Sequence, residues 1–402
     1  MSAILFVMHL LPVLLLLACA DKTEPTGDLG DTATVTEAET DADTDTDADS
    51  DTDTDTDADT DVDTDTAADT SPPAGAEDDT APPGDTAPPE DTAPPLSDYD
   101  LCFEDLGEGG GVGPEYDLFS PTIGSHCSGT NHQDIVDIDR VVFLGDSVTV
   151  GTPPTSPGDF YRSILADQIA DAFTLRPPSG SWEWYNVFDG HTLVQDSGDF
   201  CASAEWGART DDLMRDDSQV LDCFPEDERG KDTLVIMTIG GNDLNSLTQG
   251  FQEGKSHEEL WEEVYAYMEL MRQAVEWMVD PANLSGEVYV IFTNLYEYTD
   301  GTGDVESCWA AEIAGYESIT DPALEEMVLW SMEEFMSIAV DTETDMLFLL
   351  EEFCGHGFNY ADPDGRCYRG ADAELWFDLT CIHPNPTGHQ AIADMFYDVV
   401  ME

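Results

Sequence analysis

Four consecutive apolar residues, Val141-Val142-Phe143-Leu144, run into Gly145-Asp146-Ser147. Such an unbroken run predicts a parallel strand covered on both faces, since a strand with one wet face would alternate. Gly145 permits a sharp turn, Asp146 can bond that turn or cap the segment after it, and Ser147 falls just outside the carboxyl end of the strand. In open α/β sheets ligands bind at that end. Gly, Asp and Ser are also ordinary turn residues, so the tripeptide alone reads as a turn.

The pattern around it recurs. Further strands are expected at Glu183–Phe188, Thr233–Ile239, Glu287–Thr293 and Met346–Leu350, and helices at Phe160–Phe173, Ser256–Val279, Pro322–Val340 and Thr387–Val400. The helix after Ser256 is the clearest. Ser256 and Glu259 have capping-box spacing, and Leu260, Val264, Tyr267, Met268, Met271, Val275 and Met278 recur along one face, a core stripe. Strand and helix in alternation predict a parallel sheet with helices on both faces. Residues 98–402 form this folded domain, and its first part, to about Ile138, reads as an irregular, disulfide-pinned lead-in.

The N-terminal quarter is of another kind. Residues 1–18 contain the apolar run Leu10–Leu17, too short to span a bilayer, and read as a signal peptide. Leu16-Leu17-Ala18-Cys19 resembles a bacterial lipobox, which implies cleavage before Cys19 and its lipidation; the absence of Lys or Arg from the first ten residues departs from that pattern. Residues 19–97 are an acidic linker: Asp and Thr alternate from Asp41 to Thr66, and DTAPP begins at Asp79, Asp85 and Asp91. Dense like charge with almost nothing apolar to bury predicts an extended, disordered stalk. The Asp-Thr repeat lacks the glycine that bends a calcium loop. The expected location is exported: a cell-surface or outer-membrane lipoprotein, otherwise secreted.

Nine cysteines minus Cys19 leave eight, enough for up to four disulfides, with 105 connectivities open. No C-x-x-C pair occurs, which argues against zinc. Cys381, two residues before His383, is expected to be disulfide-bonded and to hold that loop. The net charge is −76, and the acidity is not confined to the stalk. Such a field repels nucleic acid and anionic surfaces, so a DNA or RNA partner is excluded.

Three further fragments give Ser147 company. Thr233–Leu244 is a second apolar run ending in Gly240-Gly241-Asn242-Asp243, whose polar residues would emerge on the same sheet edge as Ser147. Ala204–Leu213 places Gly207 in a loop where a bare N–H can be presented, and Phe377–Phe396 carries His383 in a loop before the last helix. In this order the four fragments resemble the SGNH hydrolases, the GDSL lipase and esterase superfamily, over roughly Asp139 to Val400. The resemblance implies a three-layer α/β/α fold with a flavodoxin-like sheet. It also implies a nucleophilic Ser147, a base His383, and an oxyanion hole from the Ser147 and Gly207 N–H groups and the Asn242 side chain.

The chemistry requires these types: a serine hydroxyl attacks only when a base takes its proton, and the charge on the former carbonyl oxygen needs donors placed in advance. One position departs from the family. An Asp is usual three residues before the histidine, and here that residue is Thr380. Either Asp378 reaches the imidazole as third member of a triad, or a backbone carbonyl orients it and the site works as a dyad. His389 reads as a packing residue on the last helix, and His356 as part of a loop between Cys354 and Cys367 that either borders the substrate cleft or is a mobile surface loop closed by a disulfide.

The expected activity is hydrolysis of carboxylic esters through an acyl-enzyme, by a monomer with neither metal nor organic cofactor. A lipid or phospholipid ester is the first substrate class, and an O-acylated polysaccharide the second. An inactive surface binding or display protein is the reading from outside enzymology.

Overall fold

The alternation of side chains along the first strand sets the layers. In this computed structural model, which describes residues 129–130, 132–215, 218–314, 321–365 and 367–402, β1 (Arg140–Gly145) is buried along its whole length. Val141 and Phe143 face one way, Val142 and Leu144 the other, as the pleat demands. On the first side lie α2 (Tyr161–Phe173) and α9 (Pro386–Met401), which contribute Leu165, Ile169, Ile392 and Phe396. On the second lie α5 (His257–Val279) and α7 (Pro322–Thr342), which contribute Leu260, Met271, Met327 and Phe335.

Six strands make one sheet in the order β2-β3-β1-β4-β5-β6, with β2 (Asp196–Ser197), β3 (Phe200–Ala202), β4 (Thr233–Thr238), β5 (Val288–Thr293) and β6 (Asp345–Leu347). All neighbours are parallel except the short β2, which pairs antiparallel to β3 at the sheet edge. Without β2 the order is the flavodoxin-like 2-1-3-4-5, and the chain reverses its direction of winding between β1 and β4. Register brings Gly145 opposite Thr238, so the segments after β1 and β4 emerge side by side.

The capping box forms as expected: Ser256 Oγ accepts the Glu259 N–H, and the Glu259 carboxylate accepts the Ser256 N–H. Two expected strands differ. The Glu183–Phe188 segment is turn-like, with one isolated bridge from Tyr185 to Thr192, and Phe188 is 95% exposed. Its aromatic alternation resembles a strand, but the edge of β1 is taken by Phe200-Cys201-Ala202, three residues too short to show a period. The expected Met346–Leu350 strand begins at Asp345 and ends at Leu347, and α8 (Leu349–Phe353) follows. Asp345 belongs in a buried strand because Thr130 Oγ1, the His132 N–H and Gln133 Nε2 all donate to its carboxylate.

Among the described residues three disulfides form: Cys201–Cys223, Cys308–Cys381 and Cys354–Cys367. Cys19, Cys102 and Cys127, with the segments expected to be a signal peptide and an acidic stalk, lie outside the described residues. Among the described residues no helix is long and apolar enough to cross a membrane.

Candidate active site

Ser147 is presented by a turn that several elements hold rigid. Gly145 has φ +133°, and a Cβ there would lie 2.0 Å from the Thr238 carbonyl oxygen, so no other residue fits between the strands. Asp146 caps the one-turn helix α1 (Ser147–Val150) by accepting the Val148 N–H at 2.9 Å. Thr149 Oγ1 bonds the Leu144 carbonyl at 3.1 Å and meets the hydroxyls of Tyr161 and Thr238. Below them Arg162, fully buried, stacks over Trp182 and donates to the carbonyls of Thr149 at 2.9 Å and Val150 at 3.3 Å.

His383 arrives from the opposite end of the chain. Its loop is closed by hydrogen bonds from Asp378 N to His383 O and from Asn385 N to Trp376 O. The Cys308–Cys381 disulfide and the Tyr296 hydroxyl, which donates to Ile382 O, strap it further. His383 Nε2 lies 2.9 Å from Ser147 Oγ, and both side chains are buried.

The other imidazole nitrogen meets neither group expected of it. Nδ1 lies 2.8 Å from Thr380 Oγ1, and Thr380 Oγ1 in turn donates to Asp378 Oδ1 at 2.5 Å. Asp378 therefore meets His383 through a hydroxyl rather than directly, and among the described residues no backbone carbonyl replaces it. A two-residue reach from Asp378 is spanned by the Thr380 side chain, whose own N–H also bonds Oδ1, at 2.7 Å.

Asn242 and Asp243 open α4 (Gly241–Gln252) beside Ser147, as parallel register requires. Asn242 Nδ2 donates to Ala208 O at 2.9 Å, and the Asp243 carboxylate accepts the N–H and hydroxyl of Thr210. The two side chains clasp the segment that carries Gly207, which is buried with φ +77°. Among the described residues the N–H groups of Ser147 and Gly207 have no intramolecular acceptor. Ser147, Asn242 and His383 line a cleft of about 510 Å³, and Asn242 ties the segment that carries Gly207 to it through Ala208.

Burial dominates the electrostatics. It pushes the carboxyls of Asp146, Asp243 and Asp378 up to about 7, and hydrogen bonds from Val148, Thr210 and Thr380 respectively only moderate the rise. It holds the His383 imidazole down to about 4, neutral at physiological pH and so able to accept a proton.

His389 packs as expected, stacked on Tyr161 with Nδ1 accepting the Tyr161 N–H. His356 departs from the expected surface loop: it is buried, stacked 3.6 Å from Trp376, and Nδ1 bonds Glu374 O. Among the described residues no group of three or more His, Cys, Asp and Glu side chains is arranged to hold a metal ion.

Thr380, Gln219 and Arg162 escape a reading by motif. Thr380 does carry a signal, since it stands where the family has its Asp. Gln219 and Arg162 carry none, because their partners are fixed by tertiary packing; Gln219 and Gly145, for example, are 74 residues apart.

A serine and a histidine joined at the winding reversal of an open, mostly parallel sheet define an α/β protein of the SGNH type. The family model described as GDSL-like Lipase/Acylhydrolase matches residues 141–396, and the chain belongs to that family of ester hydrolases. Solved structures similar to it include an acetyl xylan esterase from Geobacillus stearothermophilus, at 16% identity over 67% of this chain and 97% of that one, with a TM-score of 0.36. An extracellular lipase from Streptomyces rimosus is 17% identical over 65% of this chain and 99% of that one, with a TM-score of 0.37. A two-domain esterase active on acetylated mannans is 13% identical over 65% of this chain and 50% of that one, with a TM-score of 0.34. No curated protein matches the chain.

Proposed function

We propose that this protein is an exported serine esterase that cleaves carboxylic esters of lipids through an acyl-enzyme. The observation that carries this reading is the 2.9 Å approach of Ser147 Oγ to a neutral, buried His383 Nε2 on the wall of a mostly apolar cleft. His383 Nε2 takes the Ser147 proton as Oγ bonds the ester carbonyl carbon. The oxyanion is held by the N–H groups of Ser147 and Gly207 and by the Asn242 amide hydrogen not used on Ala208. Collapse breaks the bond to the alcohol oxygen, which leaves with the proton from His383. Water then attacks the acyl-serine with the same base, releasing the acid and restoring Ser147.

The cleft supports an apolar acyl group. Ile239, Leu244, Leu295, Leu324, Val328 and Leu329 line it, and each methylene they bury contributes about 0.8 kcal/mol. An acetyl group has no chain to fill such a wall. The acidic stalk and the lipobox-like Cys19 fit an enzyme held by a lipid anchor at the cell surface, reaching outward to its substrate.

A panel of p-nitrophenyl esters from acetyl to lauroyl tests the reading. We expect kcat/KM to rise with chain length beyond butyryl and to vanish in Ser147→Ala. Activity confined to acetyl esters would move the substrate to acylated glycans. A purified protein that neither hydrolyses any ester nor reacts with a fluorophosphonate would be a binding or display protein.

A further inference from the structure

A hydroxyl between a histidine and a carboxylate has one hydrogen, and the direction of that hydrogen decides what the histidine can do. Above about pH 7, the point to which burial raises its carboxyl, Asp378 is ionised and only accepts, so the Thr380 hydroxyl donates to Oδ1, and the Thr380 N–H converges on the same oxygen. Thr380 Oγ1 then turns a lone pair to Nδ1 of His383, 2.8 Å away. The imidazole must carry its proton on Nδ1, which leaves Nε2 as the lone pair facing Ser147 Oγ. If the hydroxyl were reversed it would donate to Nδ1, the proton would sit on Nε2, and the base would be in the tautomer that cannot accept from serine.

We infer that Thr380 is a positioning residue that relays the charge of Asp378 to His383, giving a four-membered chain of Ser147, His383, Thr380 and Asp378 in place of a triad. The inference rests on the ester-hydrolase reading of Ser147 and His383. Burial makes the relay effective: Thr380 is 0% exposed, Asp378 7% and His383 1%, so the three groups interact at low dielectric. Among the described residues Asp378 Oδ2 has no hydrogen-bond partner, and every hydrogen bond its carboxylate accepts there comes from Thr380. The same low dielectric lets the polarised hydroxyl oxygen stabilise the imidazolium that forms as Ser147 attacks. A carboxylate two residues upstream thereby does through a side chain what a carboxylate three residues before the histidine would do directly.

The test is a mutant cycle on the full chain, read as kcat and KM on one p-nitrophenyl ester, with fluorophosphonate labelling of Ser147. Thr380→Val keeps the shape and removes the hydroxyl; it should lower kcat at least about tenfold while KM stays within about threefold, the signature of a lost transition-state interaction. Thr380→Ser, which keeps the hydroxyl, should recover wild-type kcat to within about threefold. Asp378→Asn should lower kcat when Thr380 is present and have little effect when Thr380→Asp has placed a carboxylate beside Nδ1. That last comparison does not depend on the valine variant folding. Wild-type kcat in Thr380→Val, or an Asp378→Asn loss that is the same with Thr380 or with aspartate at that position, overturns the relay and leaves the esterase reading intact. A wild-type chain that neither turns over nor labels overturns the reading itself.

Discussion

The side-chain amide of Gln219 meets the Gly145 peptide twice: Oε1 accepts the Gly145 N–H at 2.7 Å, and Nε2 donates to the Gly145 carbonyl at 3.0 Å. The reason lies in the neighbouring strand. β3 stops at Ala202, opposite Phe143, so Gly145 has no strand partner on that side. Gln219 opens α3 (Gln219–Cys223), whose last residue is disulfide-bonded to Cys201 in β3, and so it arrives where the ladder ends.

Gln219→Leu therefore strands a buried N–H two residues from Ser147. The carbonyl keeps a second donor in the Glu205 N–H, but the Gly145 N–H does not keep a partner. We expect a loss of about 1–3 kcal/mol in denaturant unfolding, the usual cost of an orphaned donor, together with a fall in kcat as the turn relaxes. Unchanged unfolding midpoint and kcat would show that the clasp is idle.

Asn242→Ala separates transition-state binding from substrate binding. Removing one oxyanion donor costs on the order of a hundredfold in turnover, and the ground-state carbonyl needs that donor far less. Steady-state kinetics should show the loss in kcat with KM little changed. A rise in KM alone would assign Asn242 to substrate binding instead.

The Cys308–Cys381 bridge should matter more than the Cys354–Cys367 bridge. It closes 73 residues against 13, which in the loop-entropy account gives on the order of 4 against 3 kcal/mol, and of the two it alone grips the loop carrying His383. Cys381 sits at φ +73°, a left-handed backbone held in place by the bridge. The double variant Cys308→Ala/Cys381→Ala should lose both stability and kcat, and Cys354→Ala/Cys367→Ala chiefly stability. Equal kinetic losses in the two variants would dismiss a role in holding the catalytic loop.

Burial of Asp243 makes stability depend on pH with a definite sign. Its folded carboxyl titrates at about 7 against an ordinary 3.8, so between those values the native state holds a proton that the unfolded state has lost. Its contribution is complete below about 4 and is lost as pH rises through about 7. The buried histidines His383 and His389, held down by burial, act in the opposite sense at acid pH, which is why a single-site comparison is needed. Asp243→Asn should match wild type in melting temperature near pH 4 and exceed it at pH 8, because the amide never becomes charged. A variant less stable than wild type at pH 8 would show that the Thr210 contacts favour the ionised form.

Much of this was readable from spacing. β1, β4 and β5 announced themselves as unbroken apolar runs, since a strand buried on both faces leaves no other signature. Ser147, Asn242 and His383 were placed by the motifs around them and do meet at one cleft. β3 was not legible, because three residues cannot display a period, and the aromatic Glu183–Phe188 segment stood out in its stead.

The order of residues alone determined that strands and helices alternate, that the acidic segment before the domain has nothing to bury, and that a serine, an asparagine and a histidine stand at polar breaks after apolar runs or before a helix. These are local consequences of periodicity and composition. Tertiary structure alone decided which group faces His383 Nδ1, which side chain completes the edge of β1 at Gly145, and which cysteines pair. The physical reason is common to all three: each is a contact between groups whose approach is set to a few tenths of an ångström by the packing of both faces of the sheet, and no spacing along the chain encodes that distance. A carboxylate two residues from its expected place could have been useless; the fold put a threonine hydroxyl in the gap.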